Sequence, residues 1–115
     1  MQKFVFGGFE AEVDPTDVAF VQRYEAAAED YQAHIAAISK EGKASEVMMR
    51  LCEVFYQTLD ALFGAGASRQ MFGEVNSVDL CVQAFRQLTA LMNDYGDTLG
   101  KLGIAAAPKR SRKKK

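Results

Sequence analysis

The sequence predicts an α+β fold, mainly α, in which an N-terminal β-hairpin packs on a small bundle of three main helices plus a short connecting helix. Three observations predict it. Residues 3–13 alternate in polarity around a glycine pair, three later stretches carry apolar residues at helical spacing, and the last two of these are separated by Phe63-Gly64 and Phe72-Gly73. With 115 residues, about half apolar and a quarter charged, the chain can build one core but not two. The expected layout is a single domain over residues 1–96 with its hairpin at 3–13, followed by a disordered basic tail over residues 97–115.

The hairpin is read from Lys3-Phe4-Val5-Phe6, Gly7-Gly8 and Phe9-Glu10-Ala11-Glu12-Val13. A two-residue glycine turn accepts the positive φ that hairpin turns demand. Pairing Phe6 with Phe9 then sets Phe4 opposite Ala11 and Lys3 opposite Glu12. Phe4, Phe6, Phe9, Ala11 and Val13 fall on one face, which must lie on helices or on another chain, because an isolated hairpin is marginal.

Asp14-Pro15-Thr16-Asp17 reads as a helix start, with Asp14 as N-cap and Pro15 in the first helical position. A seam of Val21, Tyr24, Ala28, Tyr31, Ile35 and Ile38 alternates spacings of three and four, and the helix is expected to end near Lys40. Ser45 is the expected cap of the second helix, whose apolar face is Met48, Leu51, Cys52, Phe55, Leu59 and Leu62. Each Phe-Gly pair places glycine where a left-handed helix-ending residue belongs, so the chain should turn sharply at both, around a short helix from about Ser68 to Phe72. Asn76 or Ser77 begins the last helix, with Val78, Cys81, Phe85, Leu88, Met92 and Tyr95 on its buried face before Gly96. From there three glycines, a proline and the lack of a sustained period predict fraying and disorder.

No residues present the chemistry of an active site, and neither an enzyme nor a cofactor is expected. His34 is the single histidine, with no nucleophile at a readable spacing, and reads as a solvated surface residue. Cys52, Cys81 and His34 lack the close ligand pairs of a zinc site, so no metal is expected, and the two thiols are expected in the core. Gly7-Gly8 and Gly64-Ala65-Gly66 lack the Lys-Ser/Thr of a phosphate cradle. Glu25, Glu29 and Asp30 cluster on the first helix without the spacing of a calcium loop and read as a solvated face. No apolar run reaches the roughly 20 residues of a membrane span, and the N-terminus has no apolar signal core.

The formal net charge of −1 conceals a split. Lys109, Arg110, Arg112, Lys113, Lys114 and Lys115 are all basic, so residues 1–108 hold the other eight Lys and Arg against fifteen Asp and Glu, a body charge of −7. An acidic body disfavours wrapping on DNA, and nucleic acid could be met only through the tail.

The order of features resembles a family of short phage structural-operon proteins regarded as tail assembly chaperone-like. The resemblance runs over residues 4–85 and is carried by the N-terminal hairpin ending in Glu12-Val13-Asp14, Tyr24-Glu25-Ala26-Ala27, Cys52-Glu53-Val54-Phe55, Asp60-Ala61-Leu62-Phe63-Gly64, Met71-Phe72-Gly73, Asn76 and Cys81 through Phe85. It implies a non-enzymatic protein of the host cytoplasm that binds and solubilises the tape-measure protein during tail morphogenesis, with the tail tube protein as a further partner and homo-oligomers allowed. The expected binding groove lies between the second and last helices and is lined by Phe55, Leu59, Phe63, Phe72, Phe85 and Met92. In such families a slippery lysine-coding run can produce a frameshifted longer form, which the terminal lysines would fit. The alternative is a phage structural or host-interaction protein whose basic tail binds nucleic acid.

Overall fold

A computed structural model describes residues 2–101, with side chains through Asn93. Two strands, β1 (Gln2–Phe6) and β2 (Phe9–Val13), precede four helices, α1 (Val18–Ala37), α2 (Ala44–Phe63), α3 (Ala67–Phe72) and α4 (Val78–Lys101). The strands pair antiparallel with Phe6 opposite Phe9, Phe4 opposite Ala11 and Lys3 opposite Glu12. Phe4, Phe9 and Val13 are buried on the face expected. On the outer face Lys3 reaches diagonally, and its ion pair is with Glu10 at 2.9 Å.

The Gly7-Gly8 turn does more than reverse the chain. Gly8 N–H donates to the Gln70 carbonyl at 3.0 Å, and Gly7, at φ 58°, sits so close to Met71 that a Cβ there would strike the Met71 carbonyl. At its other edge the hairpin is tied to α4, where Gln87 Nε2 donates to the Val5 carbonyl at 2.7 Å. The aromatic face closes on α2: Phe63 stacks on Phe4 at 5.2 Å and touches the rings of Phe9 and Phe20.

The chain turns at both Phe-Gly stops, with Gly64 at φ 110° and Gly73 at φ 63°, but their ψ values of 157° and −127° are not those of the left-handed helix-ending residue expected, a conformation that Gly66 takes instead. The six-residue helix between them is too short to hold itself together. Asp60 of α2 accepts the Ser68 N–H at 2.8 Å, so the preceding helix caps the next one across the corner.

Several helix ends differ from expectation. Asp14 caps a turn, accepting Thr16 N–H at 3.0 Å and the Thr16 hydroxyl at 2.6 Å, and α1 starts only at Val18 after Asp17. An aspartate two residues before a free N–H closes this local ring as readily as it caps a helix. Helix α2 starts at Ala44, so Ser45 lies inside it; the Glu46 carboxylate reaches back to Lys43 N–H at 2.8 Å. At the other site Ser77 caps α4, its hydroxyl accepting Leu80 N–H at 3.3 Å, while Asn76 turns to the Tyr56 hydroxyl. Helix α4 continues through Gly96 to Lys101, beyond the boundary expected there. A glycine costs about 1 kcal/mol inside a helix, too little to stop one that is otherwise amphipathic. Residues 102–115, with all six cations of the basic tail, lie outside the described residues.

The core gathers Phe4, Leu59, Val13, Cys52 and Cys81, each essentially without exposure, from the hairpin, α2 and α4. Helix α1 contributes less. Its buried residues are Phe20 and Ala27, and the expected seam of Val21, Tyr24, Tyr31 and Ile35 is only half-buried. Met48, expected on the buried face of α2, is 54% exposed, because that end of the α1–α2 pair projects beyond the other elements.

Candidate functional site

Tyr31 of α1, Phe55 of α2 and Phe85 of α4 form one aromatic cluster, with ring centroids 5.5 Å, 5.0 Å and 4.5 Å apart for Tyr31–Phe55, Tyr31–Phe85 and Phe55–Phe85. The cluster marks the middle of a trough. Its floor is α2, through Phe55, Thr58 and Leu62; one wall is α1, through Tyr24, Ala28, Tyr31 and Gln32; the other is α4, through Val82, Phe85, Arg86 and Thr89. Two adjoining depressions of about 350 and 190 Å³ share Tyr31, Phe85 and Thr89. The trough exists because α1 and α4 each lean on α2 and scarcely on one another. Small side chains at Ala27 and Ala28 keep the α1 wall low, and Thr58, whose hydroxyl donates to the Val54 carbonyl at 2.9 Å, presents its methyl without an unsatisfied polar atom. Partial burial pushes the Tyr31 hydroxyl above the ordinary tyrosine range, so it remains neutral.

This placement corrects the groove read from the sequence. Phe55, Leu59, Phe72 and Met92 are buried, Leu59 completely, and Phe63, half-buried, packs on Phe4, Phe9 and Phe20. Helices α2 and α4 meet directly, so what lies between them becomes core. Of the six residues proposed, Phe55 and Phe85 reach the open trough, which lies between the first and last helices. Tyr24, Ala28 and Tyr31 were singled out as a seam but not as a binding wall; their signal was a run of apolar residues larger than one helix contact can cover.

A second depression, of about 470 Å³, lies at the corner made by the Phe-Gly stops, between Tyr56, Arg69, Phe72 and Asn76. The Tyr56 hydroxyl donates to Asn76 Oδ1 at 2.8 Å, and Tyr56 and Phe72 lie 5.4 Å apart. Ser68 also borders it, but the nearby Asp60 carboxylate holds its backbone N–H, and the only histidine, His34, is exposed on α1. No base is set beside a nucleophile there.

Cys52 and Cys81 are buried free thiols at the contact of α2 and α4. Burial foremost, and then the neighbouring Cys52, pushes the Cys81 thiol up to about 12, and burial likewise raises the Tyr56 hydroxyl. The Cys81 thiol is therefore protonated and a poor nucleophile at neutral pH. Among the described residues, no three His, Cys, Asp or Glu side chains come together as a metal site, and no helix is long and apolar enough to cross a membrane.

Residues 7–115 match the family of unknown function DUF6673, and the chain belongs to it. No curated protein and no solved structure matches the chain.

Proposed function

We propose that this member of DUF6673 is a non-enzymatic phage tail assembly chaperone that binds and solubilises the tape-measure protein in the host cytoplasm during tail morphogenesis. The observation that carries this reading is the open apolar trough over α2, walled by half-buried Tyr24, Tyr31, Val82 and Phe85. A tape-measure protein is a very long helical chain whose apolar stripes associate with one another before the tube forms. A trough with an aromatic floor accepts one such stripe by laying a helix between two helices. The body charge of −7 keeps the loaded complex soluble through mutual repulsion.

Co-expression tests the role. A tape-measure protein co-expressed with this chain should stay soluble with it, and Val82→Asp in the trough should abolish the effect while circular dichroism reports an unchanged fold. Failure of the folded protein to bind any tape-measure segment would falsify the role. A second reading, a phage structural or host-interaction protein whose tail binds nucleic acid, draws on the six cations at residues 109–115. Salt-sensitive retention on DNA, lost on removal of those residues and indifferent to Val82→Asp, would favour it.

A further inference from the structure

The corner at the Phe-Gly stops holds polar groups that the fold does not use. Ser68, Arg69, Glu74 and Asn76 line the depression of about 470 Å³ there, together with Tyr56 and Phe72. Ser68 is only 8% exposed. Its backbone N–H is held by Asp60, which does not line the depression, but its hydroxyl has no hydrogen-bond partner among the described residues. A buried hydroxyl left unpaired costs free energy, and here only a partner from outside the chain can satisfy it.

Two opposite charges border the same depression without meeting. Arg69 belongs to α3 and Glu74 follows it, with the turn at Gly73 between them. Both are exposed, and among the described residues neither side chain is in an ion pair or a hydrogen bond. Asn76 engages the Tyr56 hydroxyl through Oδ1 at 2.8 Å, which leaves its amide N–H groups free to donate. The Tyr56 and Phe72 rings, 5.4 Å apart, supply the apolar part of the lining. The volume lies within the roughly 300–1,000 Å³ that small-molecule pockets occupy.

We propose that this corner binds a small zwitterion, an α-amino acid with an apolar side chain. Arg69 takes the carboxylate through its planar fork, with the Asn76 amide as a second donor. Glu74 takes the ammonium, the Ser68 hydroxyl supplies a further hydrogen bond, and the apolar side chain rests against Tyr56 and Phe72. The corner shares no lining residue with the trough, so the assignment stands apart from the helix-binding reading.

Nuclear magnetic resonance titration of the full chain with leucine, N-acetyl-leucine and leucinamide tests it, since these offer the zwitterion, the carboxylate alone and the ammonium alone. Leucine should shift the backbone amides of Gly73, Glu74 and Asn76, and each blocked analogue should bind about tenfold more weakly, the effect of one lost charged hydrogen bond. Leucine affinity should fall to that of leucinamide in Arg69→Gln and to that of N-acetyl-leucine in Glu74→Gln. Ser68→Ala should weaken leucine binding while the melting temperature of the free protein stays level or rises. A lower melting temperature would show that the hydroxyl is already bonded within the fold and would overturn the proposal. Leucine bound no better than either analogue overturns the zwitterion, and no shift at about 10 mM leucine with the protein folded, weaker than any affinity that matters here, overturns the site. Binding that persists in both charge variants but is lost in Val82→Asp puts the ligand in the trough and overturns it too.

Discussion

The two faces of α2 end in opposite ways. Toward the hairpin, Leu59 is fully buried and Phe63, itself half-buried, packs on Phe4, Phe9 and Phe20. Toward the trough, Phe55 packs on the rings of Tyr31 and Phe85, and both of those rings keep part of their surface in water. Aromatic content does not separate the faces. What differs is whether the covering elements bond to one another: the hairpin is tied to α3 through Gly8 and Gln70 and to α4 through Val5 and Gln87. Among the described residues α1 and α4 share no hydrogen bond and meet through the Tyr31 and Phe85 rings, 5.0 Å apart. A face whose covers are hydrogen-bonded to one another closes into core, and a face whose covers meet through ring edges stays partly open.

Substitutions on the two faces should separate accordingly. Leu59→Ala leaves a cavity on the sealed face and should lower stability by about 3–5 kcal/mol in denaturant melts. Tyr31→Ala on the open face should cost about 1–2 kcal/mol, because water and not a void replaces much of the ring. Equal losses would break the comparison, since they would mean the trough wall is packed as core.

Gly7→Ala tests the brace itself. The added methyl meets the Met71 carbonyl, and the backbone is held at positive φ, so the hairpin must lift from α3 at a cost of about 3 kcal/mol. Gly64→Val, also at positive φ but with open space around its Cβ position, isolates backbone strain alone and should cost about 1–2 kcal/mol. A Gly7→Ala loss no larger than that of Gly64→Val would show that the close approach to α3 contributes nothing.

The smallest effect is alkaline. Cys81 lies on the sealed side with its thiol raised from 9.0 to about 12, so folding favours the neutral form. Its contribution is complete below pH 9 and declines as the pH rises toward about 12, where only the unfolded chain is at first ionised. Melting temperature should therefore fall over that window, and Cys81→Ala should show a shallower fall. Tyr31 and Tyr56, raised in the same direction, retain part of the slope in the variant.

Much of the fold was legible because it is local. The hairpin register follows from a two-residue turn and a pattern of period two, which leave no other pairing that keeps Phe4, Phe9 and Val13 on one side. The turns at Gly64 and Gly73 and the short helix between them follow from glycine's tolerance of positive φ. Caps were read less well: Ser77, one of two candidates, does cap α4, but Asp14 closes a turn and Ser45 lies inside α2, because each sits within a few residues of competing N–H groups and the choice among them depends on where the helix is packed.

The open trough was not legible in the same way. Apolar stripes on α1, α2 and α4 identified residues that must leave water, and Phe55 and Phe85 were among those chosen for a partner. Periodicity states which side chains share a helix face, but not which neighbouring helix covers that face. The sequence by itself determined the hairpin, the two glycine corners and the helix order, each through contacts between residues close in the chain. The tertiary structure alone decided that Leu59, Phe72 and Met92 are core, that Gly7 must admit the Met71 carbonyl, and that the opening lies between α1 and α4. Those outcomes depend on how rigid elements distant in sequence divide one apolar surface among themselves, and that division is set by their packing together, not by any one element's pattern.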